Sequence, residues 1–295
     1  MSKIIGKAYG KINLTLDVLG QRDDGYHEII TLLQGINLYD LVHLTPQAVG
    51  IEITCNLPAL ASKENLAYQA ANLLTKNYPQ ITGLRIHLEK NIPLAAGLGG
   101  GSADAAMVLW GCNYLFDLGL SLSELASWGA CIGSDVPFCL YPLTAIGTGR
   151  GEKLTYLPPC PQLELLLLKP PFSVSTREVY QYLAAVDIKK RPQINTVIKA
   201  CQTANKAQIY AGCGNVLQKA TFALYPQLKE WVRQIEDLGV EKVIMAGSGP
   251  TLIVFEEEKE KIAKLITRFS KPGWQVEVVR TLNSKDLRGR MIISD

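Results

Sequence analysis

Residues 93–106 read Pro-Leu-Ala-Ala-Gly-Leu-Gly-Gly-Gly-Ser-Ala-Asp-Ala-Ala, with glycines at Gly97, Gly99, Gly100 and Gly101. An apolar segment follows through Met107, Val108, Leu109 and Trp110. Glycine loses the most backbone entropy on folding, so a cluster marks a place where the chain takes positive φ or lets something approach the main chain. The first N–H groups of a helix have no partner inside it and carry the positive end of its dipole. A glycine loop that opens a helix is therefore an anion site, with a phosphate as the expected ligand. Upstream, Leu84, Ile86 and Leu88 alternate with Arg85, His87 and Glu89 in the pattern of a half-buried strand, which makes the order strand, loop, helix. Gly101 is followed by Ser102 and Ala103 without the lysine of a Walker A loop. Ser102 also stands where a dinucleotide fingerprint has its third glycine. The structural alternative is a tight turn that lets a small-residue helix pack closely.

The 295 residues are 19% charged and 47% hydrophobic, with a net charge of +3. Such a chain can bury a sizeable core as two domains or one large one. No Lys/Arg run or basic-aromatic interleaving suggests nucleic acid. The seven cysteines, Cys55, Cys112, Cys131, Cys139, Cys160, Cys201 and Cys213, are odd in number and form no C-x-x-C pair. His27, His43 and His87 are scattered, so no zinc site is expected, and the cysteines read as free thiols of a reducing compartment. The segment Met1 to Gly6 and Lys7 lacks the apolar region of a signal peptide, and no apolar run approaches the roughly 18 residues of a membrane span. The expectation is a cytoplasmic protein without a membrane partner.

Ile12, Leu14, Leu16 and Val18 alternate with Lys11, Asn13, Thr15 and Asp17, a strand with one buried face and with Lys11 and Asn13 side by side on the other. Asp24-Gly25 is a hairpin signal that puts Tyr26 and His27 at the start of the returning strand. A helix is predicted from about Glu64 to Lys76 with Ser62 as N-cap, and another near Ser123 to Trp128 capped by Ser121 or Ser123. Asp135, between Gly133 and an apolar run, is a carboxylate that needs a partner, or else a turn or helix cap. Leu157-Pro158-Pro159-Cys160-Pro161 reads as a stiff linker, dividing the chain into 1–157 and 158–295. In the second half, Leu163 to Leu168 suits a central strand, and Ser175 or Thr176 can cap a helix carrying Val179, Tyr180 and Leu183. Gly247-Ser248-Gly249-Pro250 joins two apolar strands as a hairpin turn or as a second phosphate or substrate-oxygen site. The final strand is placed at Val276 to Val279.

Pro93 to Ala106 resembles the phosphate-binding motif of the GHMP kinases, and Gly247 to Pro250 resembles that family's third motif. Lys11-Ile12-Asn13-Leu14, Asp24-Gly25-Tyr26-His27-Glu28 and Gly133-Ser134-Asp135-Val136-Pro137 are similar to a branch of the family that acts on a cytidine diphosphate-linked polyol. The resemblance runs from Lys7 to about Phe255. It implies an α+β, two-domain kinase with its active site in the interdomain cleft: an ATP-binding first half and a second half that completes the substrate pocket. The implied reaction is ATP-dependent phosphorylation of the acceptor's 2-hydroxyl in non-mevalonate isoprenoid synthesis. By the same resemblance Pro93, Leu94, Ala95, Ala96, Gly97, Leu98, Gly99, Gly100, Gly101, Ser102 and Ala103 form the ATP-phosphate loop, and Asn65 lies beside the adenine. Asn13, Tyr26, His27 and Tyr180 would hold the cytosine, Gly247, Ser248 and Gly249 the rest of the substrate, and Lys11 and Asp135 would flank the reacting hydroxyl. Mg²⁺ would arrive with ATP, and no Asp-x-Asp cluster marks protein ligands for it. Asn215-Val216-Leu217-Gln218 stands where that branch carries Asn-Asp-Leu-Glu, so two familiar carboxylates are absent. Acceptors such as homoserine, mevalonate or a sugar would leave Tyr26 and His27 without a base to read. A nucleotide binder without turnover would leave Lys11 and Asp135 without a task.

Overall fold

The computed structural model describes residues 2–294; Met1 and Asp295, the outermost residues of the two predicted halves, lie outside it. The first half opens with β1 (Lys3–Gln21), β2 (His27–Pro46) and β3 (Gly50–Cys55), then α1 (Leu66–Asn77), β4 (Gly83–Glu89) and α2 (Gly100–Leu115). It continues through α3 (Leu122–Ile132), α4 (Val136–Leu140), β5 (Thr144–Thr148) and β6 (Lys153–Tyr156). Next come β7 (Glu164–Lys169), α5 (Thr176–Leu183), α6 (Ile194–Gln202), α7 (Lys206–Gly212), β8 (Gly214–Asn215), α8 (Leu217–Leu224) and α9 (Pro226–Glu236). The chain ends on β9 (Lys242–Met245), β10 (Leu252–Phe255), α10 (Lys259–Phe269), β11 (Gln275–Arg280) and β12 (Met291–Ser294).

These strands make two sheets. The first has the path β12-β1-β2-β4-β3, with β5 and β8 joining on β2 and β1; the second is β11-β7-β10-β9. Alternation explains how the layers stack. Leu165 and Leu167 of β7 pack with Ile12, Leu14 and Leu32 of the first sheet, while Leu166 and Leu168 pack under α8, α9 and α10 with Ala220, Leu228 and Leu265. The predicted central strand is therefore buried on both faces, and the same cluster glues the two sheets. A third cluster seats α1 and α2 on β2 and β4, with Leu74 and Met107 against Leu44 and Ile86.

Three expectations change. The last strand is β12, which returns antiparallel to β1 from beyond Val276–Val279, so the C-terminal residues finish the first sheet. Its isolated four residues gave no signal of which sheet they would join. Asn65, not Ser62, caps α1: its Oδ1 accepts from the Ala67 N–H at 2.9 Å, and its Nδ2 donates to the Leu60 carbonyl at 2.9 Å. Cys160 and Cys201 are not free thiols. They form a disulfide across 41 residues of sequence, with Cα atoms 4.6 Å apart, because the segment before β7 packs on α6. Cys55, Cys112, Cys131, Cys139 and Cys213 are free, and burial pushes the thiols of Cys112, Cys139 and Cys213 up to about 12. Among the described residues no helix is long and apolar enough to cross a membrane.

Candidate active site

The strand-loop-helix order predicted around Gly97 is present, and two of its glycines are required by geometry. Gly97 and Gly99 have φ of 78° and 72°. A Cβ on Gly97 would sit 2.2 Å from the Ala246 carbonyl oxygen, and one on Gly99 would sit 3.0 Å from Lys11 Cγ. The loop thus touches β1 on one side and the turn after β9 on the other. It is locked to β1 by the Lys11 N–H, which donates to the Leu98 carbonyl at 2.9 Å. Ala96, Leu98 and Ala103 are buried beneath it and Leu94 is exposed. Pro93 and Ala95 flank these positions, and Gly100 and Gly101 open α2, whose first N–H groups lack helical partners.

Bounded by β1, β2, the glycine loop, α5 and the turn after β9 lies a cavity of about 1020 Å³. Gly97, Gly99 and Ser102 form one wall, and Lys11, Asn13 and Asp135 form the floor. Lys11 Nζ lies 3.3 Å from Asp135 Oδ2 and donates to Asn13 Oδ1 at 3.0 Å. Asn13 Nδ2 donates to Thr31 Oγ1 at 2.8 Å, and that hydroxyl donates to the Thr15 carbonyl at 2.6 Å. Lys11 and Asn13 share a face, as the alternation predicts, but the face is not solvated: they are 5% and 3% exposed. The glycine loop and the turn after β9 cover it: the Cβ positions of Gly99 and Gly247 lie 3.0 Å from Lys11 Cγ and 3.9 Å from Asn13 Oδ1. Asp135 occupies the N-cap position of α4 yet makes no capping hydrogen bond, so its carboxylate stays turned to Lys11.

The opposite wall is aromatic. The His27 and Tyr180 ring centroids lie 4.9 Å apart with a 38° tilt, and burial, helped by the charge of Asp135, pushes the Tyr180 phenol up. Tyr26 is 56% exposed at the mouth, with the Arg150 guanidinium 4.7 Å from its centroid. Arg150 was not anticipated. It is held there because the Gly149 N–H and carbonyl bond Glu28 and the Ile29 N–H, at 2.9 and 2.8 Å.

The turn after β9 completes the cavity. Gly247 and Ser248 line it; the Gly249 N–H turns inward to the Ala246 carbonyl, and the Ser248 hydroxyl pairs with Thr176 Oγ1 at 2.6 Å. This turn hangs on Asn215, another residue without an anticipated role. Asn215 Nδ2 donates to the Met245 and Gly247 carbonyls at 2.7 and 2.6 Å, and Gln218 Oε1 accepts from the Met245 N–H at 3.0 Å. All three bonds are made by side-chain amides, so Gln218 takes a structural part in this turn without a carboxylate. Asn65 lies outside the cavity, at the start of α1, where its neighbour Leu66 packs 3.6 Å from the Cβ position of Gly101. Among the described residues no three acidic, histidine or cysteine side chains cluster as a metal site.

A glycine loop on a helix N-terminus, facing a lysine-aspartate pair, suits transfer of a phosphoryl group to an alcohol. The family profile described as "GHMP kinases N terminal domain" matches residues 65–142, and "GHMP kinases C terminal" matches residues 197–273. The chain belongs to the GHMP kinase family. This GHMP kinase is 44% identical over 279 residues to the 4-diphosphocytidyl-2-C-methyl-D-erythritol kinase of Moorella thermoacetica, covering 93% of this chain and 98% of that one. It is 41% identical over 286 residues to the kinase of the same name from Pelotomaculum thermopropionicum, covering 96% and 99%. A crystal structure of 4-(cytidine 5'-diphospho)-2C-methyl-D-erythritol kinase superposes with a TM-score of 0.79 at 30% identity, covering 95% of this chain and 100% of that one. Homoserine kinase from Cytophaga hutchinsonii, at 18% identity and TM-score 0.71, covers 99% and 97% and shares the fold.

Proposed function

We propose that this GHMP kinase transfers the γ-phosphoryl group of ATP to the 2-hydroxyl of 4-diphosphocytidyl-2-C-methyl-D-erythritol, giving the 2-phosphate and ADP in the non-mevalonate route to isoprenoid precursors. The observation that carries the reading is the shared cavity, in which the Lys11–Asp135 pair, the glycine loop and the Tyr26–His27–Tyr180 wall face one space. A homoserine or mevalonate acceptor has no base for that wall.

Asp135 accepts the hydroxyl proton and holds the oxygen in line with the phosphorus. Lys11 holds the Asp135 carboxylate and the incoming oxygen, its ammonium fixed by Asn13. Phosphoryl transfer proceeds through a loose transition state, so positioning and charge stabilisation are the main work. The free amides of the segment Gly97 to Ser102 bind the ATP phosphates, with the Ala103 N–H closing the first turn of α2 on the Gly99 carbonyl at 2.9 Å. His27 reads the cytosine edge, with Tyr26 and Tyr180 as stacking surfaces. Mg²⁺ entering with ATP would supply charge neutralisation on the phosphates, and Ser102 Oγ and the Asp135 carboxylate, both lining the cavity, would be oxygens able to hold it. The cleft divides the units 1–157 and 158–295, with β12 returned to the first.

The test is ADP release from Mg-ATP with the cytidylated acceptor, beside the same acceptor lacking its cytidine. Turnover is expected with the first alone. Equal turnover with both would remove the base-reading wall from the mechanism.

A further inference from the structure

A second cavity, of about 330 Å³, opens on the face of β1 and β2 turned away from α2, against the segment that follows β11. It shares no lining residue with the active-site cleft. Four cations surround it: Lys7 from β1, Arg280 from the end of β11, and Lys285 and Arg288 from the segment beyond. The single carboxylate in its lining, Asp286, is already committed. Arg280 donates to its two oxygens at 2.6 and 2.9 Å and the Asn283 N–H donates at 2.8 Å; the guanidinium holds its carboxyl below the usual carboxylate range.

The remaining charges are therefore uncompensated by the lining. Lys285 and Arg288 have no ion-pair partner among the described residues; Lys7 has the Tyr39 ring, 5.0 Å from its Nζ, and a longer-range attraction to Asp286 without an ion-pair contact. Asn37 spends its Oδ1 on the Arg280 N–H at 2.8 Å, leaving its amide N–H₂ as a donor. Tyr9 and Tyr39, edge to face at 5.5 Å, supply an apolar wall, and burial with the charge of Asp286 keeps the Tyr9 phenol neutral by pushing its pKa up. The donor set is cationic and N–H, without a free acceptor carboxylate. Three cations converging on so small a space suit a multiply charged anion, and phosphates are the common small ligands of that charge.

We propose that this cavity is a second binding site, for a small molecule that carries a phosphate or diphosphate on an apolar body. The charged end meets Lys7, Lys285 and Arg288, and the body lies on the tyrosines.

The experiment is calorimetric titration of inorganic pyrophosphate into the full chain, with the active-site cleft saturated by a non-hydrolysable ATP analogue and the cytidylated acceptor. It is run on the parent chain and on Lys285→Ala/Arg288→Ala. Both side chains are exposed and touch neither the cleft nor the core, so the double variant should fold and turn over like the parent. The expected result is one pyrophosphate bound per parent chain and at least about tenfold weaker binding to the double variant, about 1.4 kcal/mol. Inorganic phosphate in the same titration separates the two headgroups: equal affinity assigns a single phosphate, weaker affinity a diphosphate. No binding by the parent chain, or equal binding by both chains, overturns the proposal. Binding of heparin without a response to pyrophosphate marks a non-specific polyanion surface and overturns it as well.

Discussion

Only 6% of the Lys11 side chain meets solvent, and a buried ammonium is tolerated only when paired and hydrogen-bonded. Asp135 and Asn13 provide both. Asp135→Asn keeps the shape of the floor but removes the proton acceptor and the charge partner of Lys11. The expected outcome is a fall of about 10² to 10⁴ in kcat with ATP affinity retained; normal turnover in steady-state assays would take Asp135 out of the mechanism. His27→Ala removes the ring that packs on Tyr180 at the far wall of the cleft and leaves the glycine loop untouched. Its KM for the acceptor should rise much more than its KM for ATP, and equal changes would sink the base-reading role. The pairing of Lys11 with Asn13 was legible because a strand has period two. Their burial was not, since it depends on the glycine loop and the turn after β9, which come from distant parts of the sequence. Arg150 was illegible for a related reason: in sequence it is one cation in a polar turn, and only the docking of that turn on Glu28 and Ile29 aims it at Tyr26.

At the scale of elements, β2, the loop after β4 and α2 meet in one buried charge cluster. Lys90 pairs with Asp40 and, at 2.5 Å, with Asp104 Oδ2, while Asp40 Oδ1 accepts from the Asn91 and Ile92 N–H groups at 2.6 and 2.8 Å. The cluster thus pins the entrance of the phosphate loop to the helix that ends it. Burial pushes the Asp104 carboxyl up from 3.8 to about 8, with Lys90 opposing and Asp40 adding. Burial disfavours the Lys90 ammonium, but Asp104 and Asp40 outweigh it and raise its pKa. The folded chain therefore holds a proton on Asp104 that the unfolded chain releases near pH 4. This contribution to stability is lost as pH rises toward about 8. Urea unfolding should show an Asp104-linked fall in stability between about pH 4 and pH 8, and a shallower fall in Asp104→Asn. An identical slope in the variant would remove Asp104 as its source. None of this cluster was visible in the sequence, where Asp104 reads only as a polar residue within a small-residue helix. The turn after β9 shows the complementary case: its glycines were legible as a motif, while of the two residues that suspend it Asn215 had no anticipated role and Gln218 read only as an absent carboxylate.

Across the whole molecule, local periodicity located most strands and helices but could not say which sheet a strand joins. The linker at Leu157 to Pro161 was visible from its prolines; the return of residues 281–294 to the first sheet was not, because a four-residue strand has no pattern of its own. That return places Arg290 between the two elements that carry the transfer pair. Its Nε donates to the Lys7 carbonyl of β1 at 2.9 Å, and its Nη atoms donate to the Cys139 and Leu140 carbonyls at the end of α4, each at 2.8 Å. Lys11 lies on that strand and Asp135 begins that helix. Burial pushes the guanidinium down to about 10, so it stays charged at neutral pH and acts as a fixed three-pronged donor. Arg290→Met fills similar volume but strands three carbonyls, at about 1–3 kcal/mol for each that stays buried. Thermal melts should show a clear loss of Tm, and Arg290→Lys, with its single ammonium, should recover part of it. Assayed well below its melting temperature, Arg290→Met should lose kcat with little change in either KM, because β1 and α4 drift apart while the binding walls stay in place. Full kcat in the folded variant would show that the Lys11–Asp135 spacing does not depend on the C-terminal clamp.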